Sequence, residues 1–306
     1  MRDVVRILYV AGWGRSGSTI LDTALGQVDG LVSVGEVKFI WERGLMENRR
    51  CGCDRPLREC PFWSEAFAAA YGTFPSDDFA KEMNKHSTRF RTRQLPILLT
   101  PRLSNWFIER SSAYQEHTAS LYRGILEAGG ADVVVDSSKY PSYLMLLKGT
   151  AGLRVDTVHL VRDPRAVAYS WKRVKLDPDN PHNELMPRLH PAATAAYWTV
   201  WNSAIERIGN DGGAYMRIRY EDIVASPQSA LESVLEFAGM KGADLPFVGE
   251  ASVSLRAGHT VSGNPIRFRT GVVAIRDDSA WVSDMSASDR RWAELMSAPL
   301  RSRYGY

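Results

Sequence analysis

The chain has 306 residues, with 38 Lys and Arg against 35 Asp and Glu, a formal net charge of +3 at pH 7. Hydrophobic residues make up 44% and charged residues 24%, which excludes a disordered or low-complexity chain. So small a net charge excludes a nucleic-acid coat but leaves room for a locally basic pocket that takes an anionic ligand. No apolar run reaches the roughly 18 residues of a membrane span. Met1-Arg2-Asp3 leads straight into a strand-like segment without a secretory leader, so the expected setting is cytoplasmic.

In chain order, short apolar runs alternate with helical patterns. Strands are expected at Val4 to Ala11, Leu31 to Val34, Asp132 to Asp136, Val155 to Val161 and Ala214 to Arg219. Continuous Val/Ile/Leu runs of this kind read as buried parallel strands. Between them, Ala192 to Ile208 places Tyr197, Trp201, Ile205 and Ile208 on one helical face. Ser226 and Pro227 read as N-cap and first residue of a helix reaching Ala238. The expected fold is therefore α/β, a three-layer sandwich with a central parallel sheet, in one domain spanning 1–306. Two regions interrupt the alternation. Residues 41–129 read as a largely helical insertion over the active site, with a basic run (Lys81, Lys85, Arg89, Arg91, Arg93) and a long helix from Ser111 to Ala128. Lys175 to Pro191 holds Pro178, Pro181, Pro187 and Pro191, which exclude a regular helix and mark a lid-like loop. A further loop is expected at 258–276, rich in Gly, Asn, Pro and Arg.

The first strand runs into Gly12-Trp13-Gly14-Arg15-Ser16-Gly17-Ser18-Thr19 and then a helix, Ile20 to Gln27. Backbone N–H groups at such a turn converge on one spot, and the helix dipole adds positive potential there, so a phosphate or sulfate binds. The spacing matches a P-loop, except that Ser18 stands where the triphosphate-binding lysine belongs. Its absence argues against ATP or GTP hydrolysis, and Arg15 supplies a guanidinium fork instead. The alternative is a tight turn of purely structural use. A second anion site is expected where the fourth strand ends in Arg162-Asp163-Pro164-Arg165. Asp163 caps the next helix, and Ser170 lies two turns on along the same face. Arg162 and Ser170 together suit a phosphate at the carboxyl end of the sheet; a surface arginine beside a helix cap is the competing reading.

Two anion sites without a triphosphate lysine suit a nucleotide with phosphates at two separate ends. The pair Gly14-Arg15-Ser16-Gly17-Ser18-Thr19 and Arg162-Asp163-Pro164-Arg165 with Ser170 resembles the sulfotransferases that use 3′-phosphoadenosine-5′-phosphosulfate, in their bacterial and carbohydrate-type branch. Asp136-Ser137-Ser138-Lys139, Arg219-Tyr220-Glu221-Asp222 and Gly263-Asn264-Pro265-Ile266-Arg267 look like further segments of that family. The resemblance implies a P-loop-type fold, a 5′-phosphosulfate held by residues 14–19 and a 3′-phosphate held by Arg162 and Ser170. It also implies that Tyr220 touches the adenine, that Arg267 clamps the 3′-phosphate from the C-terminal loop, and that Asn264 of that loop contacts the cofactor. Ile20 departs from the family pattern, standing where many relatives carry a Trp beside the adenine.

The implied reaction moves a sulfuryl group to a hydroxyl, or less readily an amine, and releases adenosine 3′,5′-bisphosphate. The acceptor is a small molecule, lipid or glycan; no nucleic acid is expected as partner and no metal is required. Arg15 and Lys139 are the expected cations, the latter alternatively an exposed lysine at a strand end. Glu36, at the carboxyl end of the second strand beside the first, is the expected general base. It could instead be paired with a cation such as Lys38. His259 is the next candidate, whereas His159 reads as core. Cys51, Cys53 and Cys60 supply three thiols within ten residues, enough for a zinc site only with a fourth ligand; reduced structural cysteines are the expectation. Two rivals stay open, a P-loop phosphotransferase of small metabolites and a nucleotide-binding protein without turnover.

Overall fold

The computed structural model describes residues 4–306 apart from 178, 180–184 and 212. The five apolar runs form β1 (Val5–Ala11), β2 (Leu31–Ser33), β3 (Val133–Lys139), β4 (Leu153–Val161) and β5 (Tyr215–Arg219). They pair in parallel in the order β2-β3-β1-β4-β5. Side chains of successive strand residues point to opposite faces, and β1 shows the consequence. Ile7 and Tyr9 enter one core cluster while Leu8 and Val10 enter the other, all essentially without exposure.

Helix α1 (Ser18–Leu25) follows β1. The insertion then contributes α2 (Pro61–Tyr71), α3 (Asp77–Ser87), α4 (Leu95–Leu98), α5 (Pro101–Glu109) and α6 (Ser112–Gly129). After β3 come α7 (Pro141–Lys148), α8 (Pro164–Lys172) and α9 (Pro191–Gly209). The C-terminal part holds α10 (Tyr220–Ala225), α11 (Pro227–Phe237), α12 (Trp281–Asp284) and α13 (Ala287–Arg303). Leu21, Leu25, Leu231 and Leu235 from α1 and α11 cover the Leu8 face of the sheet. Tyr122, Leu144, Leu147, Trp201 and Ile205 from α6, α7 and α9 cover the Ile7 face. The result is an α/β sandwich of three layers. Insertion residues Trp41, Trp63, Phe67 and Phe90 join that second cluster, so the excursion between β2 and β3 shares its core. No described helix is long and apolar enough to cross a membrane.

The structure departs from the sequence reading in several places. β2 pairs with β3, not with β1, because the chain returning from the insertion enters the sheet between them. β3 continues to Lys139, since Asp136, Ser137 and Ser138 are buried polar residues satisfied in place; the Ser138 amide, for example, donates to Asp136 at 2.6 Å. The 258–276 segment is not all loop. Gly271–Ala274 forms β7 and pairs antiparallel with β6 (Ser252–Leu255), two short strands with little apolar signal. Ser226 makes no side-chain capping bond, whereas Asp163 accepts from the Arg165 amide as expected. Pro178 and Pro181 of the lid-like loop lie outside the described residues.

Trp198, wholly buried in α9, donates from Nε1 to the Arg162 carbonyl at 3.0 Å. Trp198→Phe removes that donor and leaves part of the indole space empty. Denaturant unfolding is expected to show a loss of about 1–3 kcal/mol; an unchanged midpoint and slope would contradict this packing.

Candidate active site

β1 and β3 end level, with Ala11 in register with Lys139, and β4, whose His159 pairs with Ala11, runs two residues further to Val161. Beyond those ends opens a cleft of about 440 Å³. The turn after β1 forms its floor, and Gly14, Arg15, Gly17, Ser18 and Thr19 line it. Gly17 has φ +92° just before α1, and a Cβ there would meet the Tyr220 ring at 2.6 Å, so only glycine fits. The turn is tied at both ends. Ser16 donates to the Trp13 carbonyl at 2.7 Å, and Trp171 Nε1 donates to the Gly14 carbonyl at 3.1 Å. Arg15 has φ +71°, and its guanidinium lies 5.4 Å from the centre of the Trp171 ring.

Arg162 and Ser170 line the same cleft as the glycine turn. Arg162 is fixed by bonds to the Arg15 carbonyl at 3.2 Å and the Asp278 carbonyl at 3.0 Å, and its Nε is buried without a partner. Its guanidinium also lies 4.3 Å from the centre of the Tyr220 ring, which lines the cleft beside Ile20 and Asn264. The two basic elements singled out in the sequence therefore face one space.

Glu36 sits where the chain leaves β2. Gly35 and Val261 form a parallel bridge, and the Glu36 amide donates to the Val261 carbonyl at 2.8 Å. This added strand-like contact aims the carboxylate into the cleft although β3 separates β2 from β1. The partner of Glu36 is Lys139, not Lys38: the Lys139 ammonium contacts Glu36 Oε1 and also donates to the Ser137 carbonyl at 3.2 Å. Lys38 turns away and donates to the Ser87 carbonyl at 3.3 Å. Lys139 has φ +72°, a left-handed backbone that brings its side chain back over the strand end.

Other expected residues lie elsewhere. Arg267 does not line the cleft. Its side chain is 1% exposed and donates to the Thr260 and Arg50 carbonyls, each at 2.7 Å, and to Asp179 at 2.8 Å. It is a strut behind the cleft wall. His259 also lies off the cleft, stacked on Phe62 with ring centres 4.7 Å apart and Nδ1 toward the cysteine sulfurs. His159 is a core residue between Tyr215 and Asn202, and burial lowers its pKa to about 4. The basic run beginning at Lys81 does not reach the cleft, and Lys81 pairs with Asp78 on the exposed side of α3.

Sequence reasoning missed the aromatic wall. Trp13 stacks on Trp171 and on Tyr197, with centres 5.6 Å apart in both pairs, and meets Trp201 edge-on at 4.8 Å. Phe39 and Tyr140 extend this wall beside Glu36. Tyr197, on the helical face it shares with Trp201, Ile205 and Ile208, is 46% exposed and stacks on Trp13. Arg43, held by Ser262 at 2.6 Å, adds a cation to the same end of the cleft. The signal was present only as a high aromatic count, since these rings come from five separate segments. The lid-like loop closes over the cleft through Lys175, Asp177, Asp179 and Met186, with Arg49 bonded to Asp177 at 3.2 Å.

A family model described as the sulfotransferase family matches residues 8–244. The chain thus belongs to the sulfotransferase family, and the fold agrees. The sulfotransferase domain of the Synechococcus PCC 7002 olefin synthase superposes with a TM-score of 0.56 at 20% identity, covering 100% of this chain and 96% of that one. The sulfotransferase domain from the curacin biosynthetic pathway superposes at 0.50 with 18% identity, covering 96% of this chain and 98% of that one. No curated protein matches the sequence.

Asp22, on α1 beneath the turn, is 1% exposed. Burial raises its pKa to about 7, against partial relief from hydrogen bonds with Ser33 and Ser137. The folded state then holds this proton more tightly than the unfolded chain, so its stabilising contribution is complete below about pH 4 and is lost as pH rises through 7. Asp22→Asn is expected to gain stability over the parent at pH 8 and much less at pH 5, by urea unfolding. An equal difference at both pH values would contradict the assignment.

Proposed function

We propose that the protein transfers a sulfuryl group from 3′-phosphoadenosine-5′-phosphosulfate to a hydroxyl of a small-molecule, lipid or glycan acceptor. One observation carries this reading: the glycine turn and the Arg162–Ser170 element face a single cleft, which Glu36, Lys139 and the aromatic wall line as well. The cleft suits an anion at each end. Its turn presents backbone amides at a helix N-terminus, and Arg162 carries a buried, unpartnered Nε. Family membership makes the donor chemistry the natural one, and Ser18 in place of a P-loop lysine disfavours a triphosphate.

The donor supplies an activated sulfuryl group with a phosphate as its leaving group. The turn amides and Arg15 bind the sulfonated end and neutralise charge on the transferring oxygens. Arg162 and Ser170 take the 3′-phosphate, and Tyr220 with Ile20 flanks the base. The acceptor oxygen lies against Phe39 and Tyr140, where Glu36 removes its proton. The new bond joins acceptor oxygen to sulfur as the bond from sulfur to the phosphate oxygen breaks, in line. Lys139 has three N–H donors. Two are engaged by Glu36 and the Ser137 carbonyl, and the third serves the developing charge on the leaving oxygen.

Two measurements test the reading. Arg162→Ala is expected to weaken binding of adenosine 3′,5′-bisphosphate by about 1.5–3 kcal/mol in calorimetry; unchanged affinity would refute the second anion site. Glu36→Gln is expected to slow transfer from labelled donor by roughly 100- to 10,000-fold while bisphosphate binding persists. Full activity in that variant would remove Glu36 as the base, and magnesium-dependent ATP turnover by the parent would favour a phosphotransferase.

A further inference from the structure

The thiols of the insertion meet a histidine from the far end of the chain. Cys51 and Cys60 are fully buried, Cys53 and His259 half-buried, and their four candidate ligand atoms all lie within 4.8 Å of one another. We propose that Cys51, Cys53, Cys60 and His259 form a closed tetrahedral zinc site that clips the insertion to the segment positioning Glu36.

The spacing fits a tetrahedral ion. Zinc–sulfur bonds of about 2.3 Å put sulfur pairs about 3.8 Å apart across a tetrahedron edge, and sulfur–nitrogen pairs about 3.6 Å apart. The observed separations are 3.7 Å for Cys53 to Cys60, 3.8 Å for Cys51 to His259 Nδ1, and 3.3 Å for Cys60 to His259 Nδ1. A disulfide needs sulfurs about 2.05 Å apart, and all three cysteines are free.

The surroundings are built for thiolates. Cys60 is the N-cap of α2, where the positive end of the helix dipole favours a thiolate. Asp54, with φ +69°, makes the tight turn between Cys51 and Arg55, closed by the Cys51 amide donating to the Arg55 carbonyl at 2.8 Å. Gly52 lets the loop press on the His259 segment: its amide donates to the Thr260 carbonyl at 3.0 Å, and a Cβ would meet Thr260 Oγ1 at 2.6 Å. His259 is held by ring stacking on Phe62 and by its carbonyl, which accepts from Trp63 Nε1 at 2.9 Å. With four protein ligands and no open position the site is structural rather than hydrolytic. Binding displaces the three thiol protons and leaves the cluster with one net negative charge, beside the Arg267 strut that holds the carbonyls of Arg50 and Thr260. The functional consequence runs along the chain: two residues after His259, Val261 pairs with Val34 and Glu36.

The test uses untagged full-length protein purified in reductant without chelator. Elemental analysis is expected to give one zinc per chain, and Cys60→Ser and His259→Ala are each expected to lose it. Cobalt substitution of the parent is expected to give the intense visible absorption of a tetrahedral thiolate site. Stripping zinc from the parent with a strong chelator is expected to lower the melting midpoint by several degrees, and restoring zinc to recover it. This readout keeps the test decisive where a variant fails to fold. Folded protein without zinc, cobalt bound without thiolate bands, or a mass two hydrogens light from a Cys53–Cys60 disulfide would each overturn the proposal. None of these results depends on sulfuryl transfer.

Discussion

The parallel pairing of β1 between β3 and β4 is the constraint on which the site depends. Because Ala11 is level with Lys139 on one side and His159 on the other, all three strands deliver their following segments to the same edge of the sheet. The connections that follow them carry the glycine turn, Lys139 and Arg162. Sheets of this type place ligands where neighbouring connections diverge to opposite faces, and here the chain leaving β1 turns toward α1 while that leaving β4 turns toward α8. A glycine-rich turn, a lysine and an arginine thus converge on one cleft without any one loop having to hold them all.

Around that frame the cleft is assembled from distant pieces. Trp198 anchors the Arg162 carbonyl from α9, and Trp171 anchors the Gly14 carbonyl from α8, so each basic element is tied down by an indole from a helix outside its own turn. Glu36 is positioned by the C-terminal segment through Val261, and that segment is in turn gripped by Arg267 and by the cysteine loop. The insertion, the lid-like loop and the C-terminal segment meet at Asp179, which accepts from Arg267 and from the Arg50 amide at 3.0 Å. All three segments are thereby linked to the backbone that carries Glu36.

The strands and the two turns that follow β1 and β4 were legible because local chemistry dictates them. Continuous β-branched runs have few other uses, and a left-handed glycine before a helix leaves its mark in the sequence. Arg162, Asp163 and Ser170 follow from helix geometry alone. What escaped depends on separation along the chain. β3 between β2 and β1, Lys139 rather than Lys38 beside Glu36, and the aromatic wall all arise from contacts between remote segments. Arg267 illustrates the limit well. The family resemblance implied a phosphate contact for it, whereas its side chain is buried and makes three hydrogen bonds to backbone carbonyls and Asp179. Likewise three cysteines announced themselves within ten residues, but their histidine neighbour lies 199 residues beyond Cys60.

The central claim is a grip on both ends of one nucleotide. Its most direct measurement is calorimetric comparison of adenosine 3′,5′-bisphosphate with adenosine 5′-monophosphate, in the parent and in Arg162→Ala. The account predicts that the 3′-phosphate improves affinity of the parent at least roughly tenfold, the worth of one charge-assisted contact, and that Arg162→Ala abolishes this advantage while still binding the monophosphate. Equal affinity of the parent for both nucleotides, or an advantage that survives the substitution, would contradict it.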